Sequence, residues 1–447
     1  MSGLYMFTVI ILAVVLMIVA ISKWKINPFI TMIIIAVLVG LACGMDTETV
    51  INKVKGGFGS ILASIGIVIL CGTIIGTILE KTGAALTMAN TILKAVGKKR
   101  AVLTMAITGY ITGIPVFCDS GFVILSPISR SLAAQSGTSL AVMATALSAG
   151  LYATHCLVPP TPGPIAMAGT LGADLGLTIG IGLIISIPAT LAGLWYAKHI
   201  SSKIDIPANP EYTVEELTEK YGKLPGALHS FSPILLPIIL IALKSVSDFP
   251  SHPFGDGGLH AFCSFIGNPV IALMLGVGLA VTLVPATSKG QVPDWVGEGI
   301  LNSASILAIT GAGGSFGEIL KSLPIADVLQ NSLLSLNIGV LIPFIIAALL
   351  KTAMGASTVA MIVTSAMVAP MLEVMGMTSP IARVLVIMAI GAGSMTVSHA
   401  NDSYFWVVSQ FSDMKTEQAY KCQTGVTGVM GVVTILVVFI LSLFVRG

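Results

Sequence analysis

Long apolar runs separated by short polar joints organise the whole chain, and charge almost vanishes inside the runs. Runs at about 4–21, 28–45, 57–79, 101–112, 139–156, 176–197, 230–247, 268–284, 298–320, 338–351, 380–397 and 425–445 each read as a helix. Most approach the roughly 20 apolar residues that cross a hydrocarbon core about 30 Å thick. Two stretches, 113–130 and 352–373, are apolar but interrupted by glycine, proline and small hydroxyl residues. They are expected to enter the membrane and return, because non-helical backbone at that depth survives only where protein or a water-filled cavity covers it. Segments 84–96 and 324–336 mix polar with apolar positions and are expected to lie along the interface. The pattern predicts an all-α polytopic membrane protein with about 11–14 transmembrane helices.

Composition sharpens this reading. The 447 residues are 55% hydrophobic and 9% charged, against roughly 25% charged in a soluble domain. A formal net charge of +2 gives no sign of a nucleic-acid partner. The first run lacks a basic segment before it and a small-residue cleavage site after it, so it reads as a retained helix. Six scattered cysteines form no C-x-x-C pair, which argues against a disulfide framework or a metal centre, and no cofactor motif is visible.

Lysine and arginine set the expected orientation. The segment with Lys94, Lys98, Lys99 and Arg100 is the most basic and is expected in the cytoplasm, as are Lys23 and Lys25. The polar loop 198–229 carries Lys198, Lys203, Lys220 and Lys223 and belongs there too, whereas 248–264 has neither lysine nor arginine and is expected outside. Counting every run as a crossing puts 198–229 on the wrong side. One segment must therefore be miscounted, with 157–175 the first candidate.

The halves resemble each other. "GTILEK" at 76–81 parallels "GEILKS" at 317–322, and "TH" at 154–155 parallels "SH" at 398–399. The expected division is a first half, 1–198, with a hairpin at about 113–130 and a broken helix at about 153–164. A polar loop, 199–229, then leads to a second half, 230–447, with a hairpin at about 352–373 and a broken helix at about 398–403. Such duplications, usually inverted, put binding sites near the midplane on discontinuous helices.

The four broken places carry the candidate chemistry. Between Ala101 and Ala197 the only formal charges are Asp119, Arg130 and Asp174. Intramembrane carboxylates usually face a cavity and mark an ion or substrate path, although Asp119 could instead cap a hairpin helix. "ATHCLVPPTPGP" at 153–164 presents His155 just before four prolines, and "SHANDSYFW" at 398–406 presents His399, Asn401 and Asp402. The histidines suit proton relays or structural hydrogen bonds, and Asn401-Asp402 suit a pathway or a helix cap. Freed backbone groups, helix ends and small hydroxyl residues offer partners for an anion. The candidates for substrate binding are Gly113, Asp119, Ser120, Gly121, Thr161, Gly355, Ala356, Ser357, Thr358 and Asn401. Those for proton coupling are Asp119, His155, His399 and Asp402. An intramembrane enzyme is disfavoured, since no H-E-x-x-H motif is present.

On "GASTVA" at 355–360, "LVPPTPGP" at 157–164, "GAGGSFGEIL" at 311–320 and "SHANDSYFW" at 398–406, the chain resembles the gluconate permease (GntP) family over nearly its whole length. The resemblance implies an inner-membrane, proton-coupled symporter of a small hydroxy-monocarboxylate or sugar acid. It also implies two hairpins and two unwound helices in inverted repeats, and an elevator-like movement, often in a dimer. The partners implied are an organic acid anion, a coupling proton and the lipid bilayer. A sodium-coupled carboxylate transporter on the same scaffold is the alternative. Many members have Glu-Val-Gly at the first tip where Asp119-Ser120-Gly121 stands here, and Gly-Ser-Ala-Thr at the second where Gly355-Ala356-Ser357-Thr358 stands. Thr161 replaces a frequent histidine. These departures leave the particular carboxylate open.

Overall fold

The computed structural model describes residues 3–97, 100–208, 224–248, 257–323, 339–373, 375–399 and 402–445, which are largely helical and include no strand. The expected interfacial segment 324–336 and residues 209–223 of the polar loop lie outside the described residues. Helices α1 (Gly3–Ser22) and α2 (Pro28–Ala42) lead into α3 (Thr47–Lys81), a 35-residue helix that Asp46 opens by accepting from the Thr49 amide at 2.9 Å. Next come α4 (Ala84–Val96), α5 (Ala101–Thr112), α6 (Cys118–Ser136), α7 (Leu140–Leu157), α8 (Pro162–Leu171) and α9 (Leu175–His199).

The second half contains α10 (Ala227–Ser247), α11 (Gly258–Ile266), α12 (Pro269–Thr282), α13 (Val292–Lys321), α14 (Leu341–Met354) and α15 (Ser357–Val368). It ends with α16 (Pro380–Met395), α17 (Ser403–Phe411), the single turn α18 (Thr416–Ala419) and α19 (Gly425–Ser442). From α3 onward, each half runs long helix, hairpin, broken helix, helix: α3, α5–α6, α7–α8 and α9, then α13, α14–α15, α16–α17 and α19.

Five described stretches are long and apolar enough to cross a membrane, and α11 with α12, bent by 59°, would make a sixth. The shorter apolar helices have 10–17 residues, which at 1.5 Å per residue reach at most about 26 Å, short of the hydrocarbon thickness. This corrects two expectations. The runs at 101–112 and 338–351, counted above as crossings, are the first arms of helix–tip–helix hairpins. The hairpins span Ala101–Ser136 and Leu341–Val368, wider than the broken stretches alone suggested. Pro127 also sits inside α6 without ending it.

The hairpin arm resolves the conflict over sides. Arg100, Ser136, Thr138 and Lys198 line one cavity, and Ser139 Oγ donates to the Ile204 carbonyl at 2.7 Å. Both ends of the first hairpin therefore lie with the C-terminal end of α9. Once α5 is not a crossing, the basic segments 94–100 and 198–203 share one side, as the positive-inside rule requires. Segment 157–175 is not the miscounted one, because α8 continues the path of α7 in a single apolar stretch, Leu140–Leu171.

Close glycine contacts hold the core. A β-carbon at Gly57 would fall 2.4 Å from the Gly314 carbonyl oxygen, and one at Gly314 2.4 Å from that of Gly57, so α3 and α13 cross backbone to backbone. Small residues permit this approach, which supplies dispersion contacts where lipid removes the hydrophobic drive. Gly150 meets the Ala106 carbonyl in the α5–α7 pair, and Gly393 meets the Phe344 carbonyl in the α14–α16 pair, so the hairpins grip the broken helices alike. α7 is buried along its entire length.

Two arginines fix the far ends of the broken helices. Arg383 Nη1 donates to the Leu171 carbonyl at 3.0 Å, at the C-terminus of α8. Arg130 Nη2 donates to the Phe411 carbonyl at 3.0 Å, at the C-terminus of α17, and Arg130 also pairs with Asp413 at 2.5 and 3.0 Å. A cation there complements the negative end of the helix dipole, and the Arg130 hydrogen bonds hold the Asp413 carboxyl below its ordinary range. The C-terminus of α8 thus meets the start of α16, while that of α17 meets α6 near the base of the first hairpin. The broken helices run in opposite directions.

Candidate substrate and coupling site

Four interruptions meet inside the protein. α7 ends at Leu157 because Pro159, Pro160, Pro162 and Pro164 supply no amide hydrogens to continue it. α16 ends at Met395, and the chain beyond it is held from α19 and the turn before it. There the Ser398 amide donates to Thr427 Oγ1 at 3.0 Å, and Thr424 Oγ1 donates to the Ser398 carbonyl at 2.5 Å. α14 stops at Gly355, whose φ of +82° lies where a side chain is disfavoured. The first tip, residues 113–117, delivers α6 with Asp119 in its first turn.

The helices leaving these breaks pair crosswise. Ser403 Oγ, at the start of α17, donates to Asp119 Oδ1 of α6 at 3.2 Å. Gly163, at the start of α8, packs on α15, where a β-carbon would come 2.4 Å from the Met361 methyl group. No side chain caps the N-termini of α6, α8 or α15. Their free amides and positive dipole ends suit an anion.

A buried ion pair lies at the junction of the second hairpin and the second broken helix. Lys351 is fully buried, and its Nζ lies 2.5 Å from Asp402 Oδ2. The same ammonium donates to the Gly355 carbonyl at the hairpin tip and sits 5.7 Å from the centre of the Tyr152 ring. Asp402 Oδ2 also accepts from Ser398 Oγ at 2.5 Å, and Oδ1 accepts from the Tyr404 amide at 3.1 Å, capping α17. Desolvating two charges is repaid only when further hydrogen bonds satisfy them, and here each ion has them.

Around the pair, Tyr152 packs against Tyr404 with ring centres 5.1 Å apart and stacks on His155 with an interplanar angle of 6°. His155 is buried with Nδ1 lacking a hydrogen-bond partner. His399 Nε2 lies 2.8 Å from the Thr352 carbonyl. A carbonyl only accepts, so Nε2 carries the hydrogen and ties the second break to the second tip.

The expected residues fall as follows. Asp119, Ser120, Thr358 and His399 are part-exposed, Ala356 is exposed, and Ser357 is buried beneath the tip. Gly113 and Gly121 pack on α7, where β-carbons would meet the Leu151 carbonyl at 2.6 Å and the Leu151 side chain at 2.8 Å. Thr161 is buried, and its hydroxyl donates to the carbonyls of His155 and Val158 at 3.0 and 2.7 Å, closing the end of α7. Asn401 lies outside the described residues. Lys351, Tyr152 and Tyr404 join the site although they lie outside the sequence candidates. For Lys351 the signal was available, because it is the only formal charge between residues 341 and 372. Among the described residues, no cluster of His, Cys, Asp or Glu is arranged to hold a metal.

A family model described as GntP family permease matches residues 5–444. A gluconate permease of Pseudomonas aeruginosa is 33% identical, with 96% of this chain and 95% of that protein covered. The D-serine transporter DsdX of Escherichia coli K12 is 31% identical, with 99% of this chain and all of that protein covered. Among solved structures, the YdaH transporter of Alcanivorax borkumensis gives a TM-score of 0.70 at 15% identity, covering 94% of this chain and 99% of that one, a likeness of fold.

Proposed function

The chain belongs to the GntP permease family and is a multi-pass inner-membrane permease, and from that premise we propose that it takes up a small hydroxy-monocarboxylate by proton symport. The observation that carries this reading is the buried Lys351 beneath the second hairpin tip, beside the uncapped N-terminus of α15. A carboxylate finds an ammonium and free amides there, as a small anion requires. Ser357, Thr358 and Ser403 supply hydroxyl partners, and Asp119 accepts from hydroxyl groups on the substrate. The relatives support a compact substrate of this kind, since gluconate and D-serine share a carboxylate on a short, hydroxyl-bearing carbon chain.

On this reading the halves are inverted repeats, and the hairpins with the broken helices carry the substrate across. Thermal shift of the purified protein against a panel of C3–C6 acids tests the substrate class. Hydroxy-monocarboxylates such as glycerate and gluconate should raise the melting temperature, whereas the matching unsubstituted acids and dicarboxylates should not. A response to D-serine with none to any hydroxy acid would move the substrate class to amino acids.

A further inference from the structure

Among the described residues, the one carboxylate paired with Lys351 is that of Asp402, and both side chains are buried. Resting on the proposed uptake of a monocarboxylate, we infer that the Lys351 ammonium is passed from Asp402 to the substrate carboxylate, and that the coupled proton then resides on Asp402. The step balances in charge and atoms. Without substrate, Lys351 Nζ–H donates to the ionised Asp402 Oδ2. With substrate, the same N–H donates to a substrate carboxylate oxygen, and a proton from solvent bonds to Asp402 Oδ2.

The surroundings of Asp402 accommodate both forms. Ser398 Oγ, 2.5 Å from Oδ2, donates to the carboxylate and can accept from the carboxylic acid. The Tyr404 amide stays on Oδ1 in both states, and Gly355 O keeps a second ammonium hydrogen throughout. A buried carboxylate stripped of its only cation is strongly disfavoured against its protonated form. Taking the proton relieves that state, so substrate and proton bind together.

The other ionisable groups nearby do not replace Asp402 in this exchange. Asp119 on α6 has hydroxyl and thiol partners, Ser403 Oγ at 3.2 Å and Cys118 Sγ at 3.6 Å, and is part-exposed. It loses no cation when Lys351 turns to the substrate. From α7, His155, Tyr152 and Cys156 face the pair, and from α17, Tyr404 does so; the hydrogen bonds to Asp402 Oδ2 come instead from Lys351 and Ser398. His399 is hydrogen-bonded to the Thr352 carbonyl. A monoanion binding alone would add a negative charge beside Asp402, whereas a monoanion with a proton adds none.

The test is proton uptake on binding, measured by titrating D-gluconate or D-glycerate into the detergent-purified wild-type protein at neutral pH in buffers of different ionisation enthalpy. The account expects about one proton taken up per substrate bound. Asp402→Asn should bind the same acid with proton uptake abolished, and Asp119→Asn should bind it more weakly with uptake retained. Binding without proton uptake in the wild type would overturn the inference while leaving the substrate reading standing. Uptake lost in Asp119→Asn but kept in Asp402→Asn would also overturn it, placing the proton on the other carboxylate. No binding by any hydroxy acid would remove the substrate reading and the inference together. If Asp402→Asn does not fold, Asp119→Asn decides beside the wild type: uptake retained there supports the inference, and uptake lost there with binding kept overturns it.

Discussion

Lys351→Met should destabilise the folded protein by about 3–5 kcal/mol, the usual consequence of removing one partner from a buried ion pair. The lost ammonium holds the Asp402 carboxylate and the Gly355 carbonyl together, joining the second hairpin tip to the second broken helix. Its removal leaves a buried carboxylate with no cation in contact. Adding Asp402→Asn to Lys351→Met removes that charge and keeps a side chain able to cap α17, so it should recover most of the loss. Melting temperatures of the three proteins in one detergent test this. A double variant no more stable than Lys351→Met would show that the unpaired charge is not the cause. Both variants should lose uptake, because neither retains the ammonium assigned to the substrate carboxylate.

Gly355→Val should abolish uptake in protein that still inserts. At φ +82° a β-branched residue is strained, and the Gly355 carbonyl accepts from Lys351 beside Asp402. Refolding the tip to a negative φ would turn that carbonyl away and redirect the start of α15, on which α8 packs at Gly163. Reconstituted Gly355→Val should therefore fail in counterflow as well as in gradient-driven uptake. Normal counterflow would take the second hairpin out of the transport site.

The sequence revealed the interruptions and hid one of the contacts between them. The break at Pro159–Pro164 and the break at Gly355 follow from residues whose backbone chemistry stops a helix wherever they occur. The bounds of α4, residues 84–96, match the stretch marked by its mixed polarity. Lys351 was harder to read. A single lysine in an apolar run looks like a side chain reaching for the interface, and its partner stands 51 residues later across a tertiary contact.

Thr161 posed the opposite problem. Its place among prolines suggested a ligand group, yet its hydroxyl closes the end of α7, a local use that composition cannot distinguish from binding. The arms α5 and α14 resemble crossings in sequence because apolar character reports the solvent around a helix and not its path. Only their lengths, 12 and 14 residues, and the shared side of Arg100, Thr138 and Lys198 separate a hairpin arm from a span.

Proton coupling at a site built around Lys351, Asp402 and Asp119 is the central claim, with sodium coupling on the same scaffold as its rival. The deciding measurement is uptake of the best-bound hydroxy acid into proteoliposomes holding the wild-type protein, under one imposed gradient at a time. An inside-alkaline pH gradient without sodium should drive accumulation above the external concentration, and an inward sodium gradient at equal pH should give equilibration only. Accumulation driven by sodium with no response to the pH gradient would contradict the account.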